Sequence, residues 1–416
     1  MQRLSIFGQD RRPVFAVALS VATCLALIVG LSAAKSASAS KAPWYIVGPL
    51  DLTGAYGQFG QYGLDGLKAE AAVLNKQGGV LGHKIVIKDL DDGSSPSTAA
   101  LAAKQLLSDT PANQILFFEP ASVGVTTEAV LPITTQAKVL DMTLTAIPQT
   151  DNVQSYPYNF ATYPAYTDNS TFGYAYPASL YAKNKKVGVI YGTDAGDQAE
   201  VPILPAEIQK YGDDPVDQTS VDPTTTDFTS VLAKMQSDGV TAIIVKIDAG
   251  AAYADVMNAV QQLGYKNVEV IGSISAATEP VLSAIPAAVK KQFVASGAAV
   301  QVKSYKTPQL ESFIKALATY GPIGSLQISA TYADQVRLAA WAAEKAGTNN
   351  TAKMKQALDS LHKTTLPANY LIALPDPKYS AKEQDLNSTV AKDVWSLLYP
   401  GNAVNGQFSG KLLTPP

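Results

Sequence analysis

From residue 44 onward, short apolar runs alternate with longer stretches whose apolar residues recur every three or four positions. That alternation is the pattern of βαβ units around a parallel sheet, because each strand buried on both faces needs a helix to return the chain to the same edge. Strands are expected at 44–47, 85–87, 115–118 and 139–142. Helices are expected between them, at 64–74 with Gly78-Gly79 as its stop, at 98–107 with Ser95-Pro96 as its start, and at 125–135. A Tyr/Pro/Asn-rich passage at 149–164 breaks the rhythm and reads as a domain crossover. The pattern then resumes with strands at 186–191, 216–221, 242–245 and 268–271 and helices at 172–182, 199–211, 228–237 and 253–263. Beyond residue 293 it turns helical (310–320, 326–346, 354–361) and ends in strand-like pieces at 370–374 and 394–398. The fold class that follows is α/β, with two doubly wound lobes built on parallel-type central sheets. Gly57, Gly60, Gly63 and Gly66 recur every third residue, lack the dinucleotide-binding spacing, and read as an exposed loop running into the first helix.

The first 39 residues stand apart. Arg3, Arg11 and Arg12 precede the apolar run 14–31, and Ala37-Ser38-Ala39 offers a small-residue cleavage site, so 1–39 reads as a signal peptide and the protein as exported, to a periplasm or the outer face of the cell membrane. An uncleaved membrane anchor is the alternative, and Cys24, in a poor lipoprotein box, is a lesser one. Arg11-Arg12 is followed by Pro13, which does not suit a twin-arginine signal. Removing this segment takes away four basic residues (Arg3, Arg11, Arg12, Lys35) and one acidic residue (Asp10), so the net charge of −3 becomes −6. The single arginine left is Arg337, which leaves almost none of the guanidinium forks that read bases or clamp phosphates, so nucleic acid is not an expected partner. Cys24 is the one cysteine, so the remainder has no disulfide, thiolate or cysteine-based zinc site. With 47% hydrophobic residues the chain has ample material for a packed core, which excludes intrinsic disorder.

Tools for catalysis are scarce. His83 and His362 are the only histidines, and no zinc-protease, serine-hydrolase or phosphate-loop motif occurs. No cofactor, metal or catalytic residue is therefore expected. Asp89, Asp91 and Asp92 follow a strand, where they either meet a ligand or cap and solvate a loop. Asp248 follows the run 242–247 and either faces a ligand or caps the next helix. Ser122 and Gly124 place a hydroxyl and backbone amides at a helix start, suited to a carboxylate or carbonyl, or to plain capping. Many of the 20 tyrosines fall in loops, Tyr191 among them, which suits a cleft that closes on a small molecule.

Gly48-Pro49-Leu50-Asp51-Leu52-Thr53-Gly54, Phe59-Gly60, Leu64-Asp65-Gly66, Asn75 and Gly78-Gly79-Val80-Leu81-Gly82 follow one another in the first hundred residues. Together with Glu119-Pro120-Ala121-Ser122, residues 145–148 and Thr226-Asp227-Phe228, this series resembles the type I periplasmic substrate-binding proteins of the leucine/isoleucine/valine-binding kind, over about residues 44–346. The resemblance implies two lobes joined by three crossovers, here 40–161 with 296–361 and 162–295 with 362–416, closing on a ligand handed to the permease of an ABC importer. It places Phe59 over the ligand, Ser122-Val123 where the family has a serine pair, and Ala146, with Thr145 beside it, at a ligand-binding threonine. The family carboxylate that holds an amino acid's ammonium has no counterpart in Gly272-Ser273-Ile274-Ser275, which leaves Asp248 as the nearest replacement. The expected ligand contacts are Phe59, Ser122, Val123, Gly124, Thr145, Ala146, Tyr191, Asp248 and Ser273, and branched-chain amino acids are expected to bind weakly.

The expected function is thus an extracytoplasmic solute-binding protein, monomeric and non-enzymatic; a ligand-sensing receptor lobe and a secreted α/β enzyme are the alternatives. Since Cys24 lies in the segment to be removed, the purified chain without residues 1–39 should melt at the same temperature with and without dithiothreitol and elute as a monomer.

Overall fold

The computed structural model of the chain describes residues 41–193 and 195–413. The signal or anchor segment, the arginine pair and Cys24 lie outside the described residues.

The chain opens with β1 (Trp44–Leu50), α1 (Gly57–Lys76), β2 (Ile85–Asp91), α2 (Pro96–Asp109), β3 (Ile115–Phe118), α3 (Gly124–Ala137), β4 (Asp141–Thr143) and β5 (Asn159–Ala161). These strands form one wholly parallel sheet in the order β2-β1-β3-β4-β5. Residues 149–158 are turns, so the chain stays in this first sheet through β5 and leaves it only after Ala161. It next forms a helical passage whose central turns, Asn169–Ala175, are π-helical. Then come β6 (Lys186–Tyr191), α4 (Ala195–Glu200), α5 (Leu204–Lys210), β7 (Asp214–Ser220), α6 (Thr229–Ser237), β8 (Ala242–Lys246), α7 (Ala251–Gln262), β9 (Glu269–Gly272), α8 (Glu279–Ala284) and β10 (Phe293–Ala298). The single helix expected at 199–211 divides at Pro202, whose ring removes a helical hydrogen bond. The last elements are α9 (Pro308–Leu317), α10 (Leu326–Ala346), α11 (Thr351–Asp359), β11 (Trp395–Leu398) and β12 (Gly410–Leu412).

The second sheet has the order β12-β11-β10-β9-β8-β6-β7, parallel from β7 to β10 and antiparallel at the β11 and β12 edge. The chain passes between the two sheets three times: after β5, after β10 on the way to α9, which packs on α1, and after Leu386. Before that third passage, residues 379–386 run beside β5, where Ala161 N–H donates to the Gln384 carbonyl at 2.7 Å and Tyr379 Oη to the Ala161 carbonyl at 2.8 Å. The strand expected at 370–374 is a set of turns instead. Its amides at Ile372, Ala373 and Leu374 all donate to the buried Asp334 carboxylate of α10, at 2.7–2.9 Å, and this replaces the ladder a strand would need.

The four glycines from Gly57 to Gly66 are helical, not an exposed loop. They lie in α1, and Gly60, Gly63 and Gly66 are buried. A Cβ at Gly60 would overlap the Asp51 carbonyl oxygen, one at Gly63 the Tyr332 ring, and one at Gly66 the Ser329 carbonyl oxygen. A period of three keeps these positions on one side of a helix, and their lack of side chains lets α1 press against α10 and the loop after β1. That contact fixes where α1 begins, and so where Phe59 stands. Substituting Gly66→Ala should raise helix propensity by about 1 kcal/mol but cost about 1–3 kcal/mol through overpacking. The expected net result is a lower urea midpoint with an unchanged slope.

Candidate functional site

One wall of the candidate site is built where β3 ends. The turn Glu119-Pro120-Ala121-Ser122 carries the chain into α3, with Ala121 at φ 75°, a left-handed conformation that costs an alanine about 1 kcal/mol or more. The turn is held by Asp51, in the loop after β1. Its Oδ2 accepts from the Ser122 N–H at 3.0 Å and from Thr126 Oγ1 at 3.2 Å, while Asp51 N–H donates to Ser122 Oγ at 3.4 Å. α3 then starts at Gly124 with Val123 as N-cap and no side chain capping it, so the positive end of a 14-residue helix points out of this turn. Asp91 and Asp92 are a staple behind it. Asp91 Oδ1 accepts from the N–H groups of Leu52, Thr53 and Gly93, and its Oδ2 accepts from Thr53 Oγ1 at 2.7 Å. These bonds hold the Asp91 carboxyl below its ordinary range even against its partial desolvation. Asp92 is fully buried, and that burial, together with the neighbouring Asp51 carboxylate, pushes it up to about 8. Burial likewise raises Asp51 itself.

The opposite wall centres on Lys246, the last residue of β8, which is 3% exposed. Its ammonium lies 2.8 Å from Asp197 Oδ1 and 3.4 Å from Glu200 Oε1, both on α4, and 5.8 Å from the centre of the Tyr174 ring. Burial opposes its charge, but Asp197 and Glu200 outweigh burial and hold the ammonium well above the usual lysine range. Glu200 is raised by burial and pulled back by Lys246, by Asn169 Nδ2 donating at 2.7 Å and by Ser170 Oγ donating at 3.1 Å. Asn169 and Ser170 come from the π-helical turns, and Tyr163 Oη completes the network by donating to Asn169 Oδ1 at 3.3 Å.

Between these walls lies a cavity of about 40 Å³. It is lined from the first sheet's side by Phe59, Ser122, Val123, Leu144, Thr145 and Ala146, and from the other by Tyr163, Asn169, Tyr174, Glu200, Lys246, Asp248 and Ile274. Phe59 and Asp248 also line an adjoining outer chamber of about 200 Å³. The lobes are drawn together, since α4 packs on α3 and Glu279 N–H donates to the Gly324 carbonyl at 2.7 Å.

Of the nine residues singled out in the sequence, six meet at this cavity: Phe59, Ser122, Val123, Thr145, Ala146 and Asp248. Gly124 sits one residue behind the lining, at the start of α3, and Tyr191, at the end of β6, packs half-buried against the core. The Ser273 hydroxyl turns into its own lobe, 2.5 Å from Tyr253 Oη. Asp248 lines both chambers and accepts from Ser275 Oγ at 3.4 Å, while α7 after it has Gly250 as its N-cap and no side-chain cap. The charged members that the sequence reading missed are Lys246, Glu200 and Asp197. The one signal for Lys246 was a lysine closing an otherwise apolar strand. Both histidines lie away from the cavity: His83 stacks on Trp44 at 4.1 Å, and His362 Nδ1 pairs with the Asp359 carbonyl. Among the described residues no cluster of His, Cys, Asp and Glu could hold a metal ion, and no helix is long and apolar enough to cross a membrane.

Two α/β lobes around a polar cleft define a class, the binding proteins that close on a solute, and a family profile described as periplasmic binding protein matches residues 43–378. The chain belongs to that family. It is 30% identical over 192 residues to a Leu/Ile/Val-binding protein homolog of Brucella melitensis, a stretch covering 45% of this chain and about half, 50%, of that relative. In fold it is similar to the branched-chain amino acid transporter substrate-binding protein LivJ of Streptococcus pneumoniae, solved with isoleucine (TM-score 0.71, 17% identity, 90% of this chain and 100% of that one). It is equally similar to a solute-binding protein of an ABC transporter from Rhodopseudomonas palustris, solved with p-hydroxybenzoic acid (TM-score 0.70, 18% identity, 90% and 96%). These likenesses establish the type I fold and its three crossovers.

The buried carboxyls behind the turn make stability depend on pH. Asp92 holds its proton up to about 8 in the folded chain, whereas in the unfolded chain it gives the proton up near the ordinary value of about 3.9. Its contribution is therefore full below about pH 4 and lost as pH rises towards 8. Glu70, Asp151 and Asp385, each pushed by burial to about 7, act in the same direction. The melting temperature should be higher at pH 5.5 than at pH 8.5, and Asp92→Asn should narrow that difference.

Proposed function

We propose that this chain is exported and captures a small solute bearing a protonated amine, delivering it as a monomer to the permease of an ABC importer without chemical change. One observation carries the reading: the second wall of the cavity presents two carboxylates, Glu200 and Asp248, beside a single ammonium, Lys246, which Asp197 already pairs from outside the lining. The facing wall offers no charged side chain, only hydroxyls and the α3 N-terminus. A lone anion would meet Glu200 and Asp248 and find Lys246 already engaged twice, which is costly in a desolvated site. An ammonium is drawn to the acidic wall, and an accompanying carboxylate or carbonyl to the Ser122 turn.

An α-amino acid satisfies both ends, so amino-acid transport is the leading form of this reading. Glu200 supplies what the sequence lacks near Ser273: a carboxylate for the ligand's ammonium, delivered from a different helix. Family membership supports the extracytoplasmic location, the permease partner and the absence of catalysis. Hinge torsions at the three crossovers allow the lobes to open for entry.

Calorimetry on wild type should show amines and zwitterionic amino acids binding more tightly than carboxylates of the same size. Asp248→Asn and Glu200→Gln should each weaken amine binding about 10- to 100-fold, the loss of a hydrogen bond to a charged partner, with far-UV circular dichroism unchanged. Tighter binding of the plain carboxylates, insensitive to both substitutions, would defeat the proposal.

A further inference from the structure

The inner cavity of about 40 Å³ is only about three times the 10–15 Å³ that one water requires. It has room for a head group of a few heavy atoms, so the rest of a ligand must lie elsewhere. The adjoining chamber of about 200 Å³ shares Phe59 and Asp248 with it, which makes this pair the threshold between the two. Its walls are of a different kind. Tyr56, Phe59 and Tyr62 present rings, Ile328 adds an aliphatic face, and Asp248 at the threshold is its one charged group. Three rings in a row along one face of α1 offer a flat apolar surface, which favours a flat apolar body over a branched aliphatic one.

Thr278 also lines this chamber. It is 4% exposed, and its Oγ1 is buried with no hydrogen-bond partner among the described residues. It occupies the N-cap position of α8 yet makes no capping hydrogen bond, so the local backbone does not account for the hydroxyl. A buried polar atom left unpaired is costly and uncommon, and its residue stands in the wall of a chamber that a ligand group can fill.

We infer that the site takes an amine-headed ligand whose flat, aromatic body passes Phe59 into the outer chamber and ends in a hydroxyl that pairs with Thr278. This rests on the proposed function for the head group, while the tail stands on the outer chamber alone. Two ligand pairs separate the claims: tyramine with 2-phenylethylamine, and 4-hydroxyphenylacetate with phenylacetate, each titrated by calorimetry beside L-leucine.

Tyramine should bind about 3- to 10-fold more tightly than 2-phenylethylamine, the range for one buried neutral hydrogen bond. Thr278→Val should erase that difference and Thr278→Ser should keep it, with melting temperatures confirming that both variants fold. Equal affinity within each pair, or a hydroxyl advantage that survives Thr278→Val, overturns the tail. Tight leucine binding with none of the four aromatic compounds bound overturns the tail and leaves the head-group reading standing. A Thr278-dependent hydroxyl advantage seen only in the acid pair supports the tail and removes the amine head. No binding by any of the five overturns both.

Discussion

The ammonium of Lys246 has been taken out of water at the end of a buried strand, and the second lobe's side of the cleft is arranged around that fact. A lone buried charge is costly enough that the group would be expected to lose its proton, so Lys246 stays charged only because α4 brings Asp197 and Glu200 within hydrogen-bonding or ion-pair distance. Their placement in turn recruits Asn169, Ser170 and Tyr163 from the passage between the lobes. The cluster therefore ties the sheet, a flanking helix and the first crossover to one point. Its acids outnumber its base, and the proposed preference for an ammonium rests on that excess.

The first lobe reaches a comparable result with one carboxyl. Asp51 braces the Ser122 turn from behind, and the strained φ of Ala121 is the local cost of aiming the start of α3 at the cleft. α1 is seated by the same neighbourhood, since Gly60 closes on the Asp51 carbonyl and Gly66 on the backbone of α10. Phe59, next to Gly60 and on the same side of the helix as Gly63 and Gly66, thus receives its position from that packing. The two chambers meet at that ring, so where the inner cavity ends and the outer one begins follows from how closely two helices approach.

Much of the architecture was legible because burial imposes a period on the sequence. The runs 115–118 and 186–191 coincide with strands, and 326–346 with α10, since each is apolar or helically patterned to its ends. Legibility failed where a local signal had two physical meanings. Glycine every third residue suits a loop and also a helix pressed against another helix, and only the presence of Tyr332 and Ser329 opposite decides for the helix. Residues 370–374 look like a strand, but the Asp334 carboxylate, far away in sequence, takes up their amides.

The site divides in the same way. Ser122 and Asp248 were readable because strand ends and helix starts in an α/β sheet face the ligand edge, and Phe59, Val123, Thr145 and Ala146 were readable through the family resemblance alone. Lys246, Asp197, Glu200 and Thr278 were not, because their roles depend on distances between segments that sequence spacing does not encode. By itself the sequence determined the class of fold, the order of its elements and the scarcity of catalytic groups, all of which follow from local pattern and composition. Only the tertiary structure decided the charge and compartments of the cleft, because a carboxylate acquires its effect from what is buried beside it.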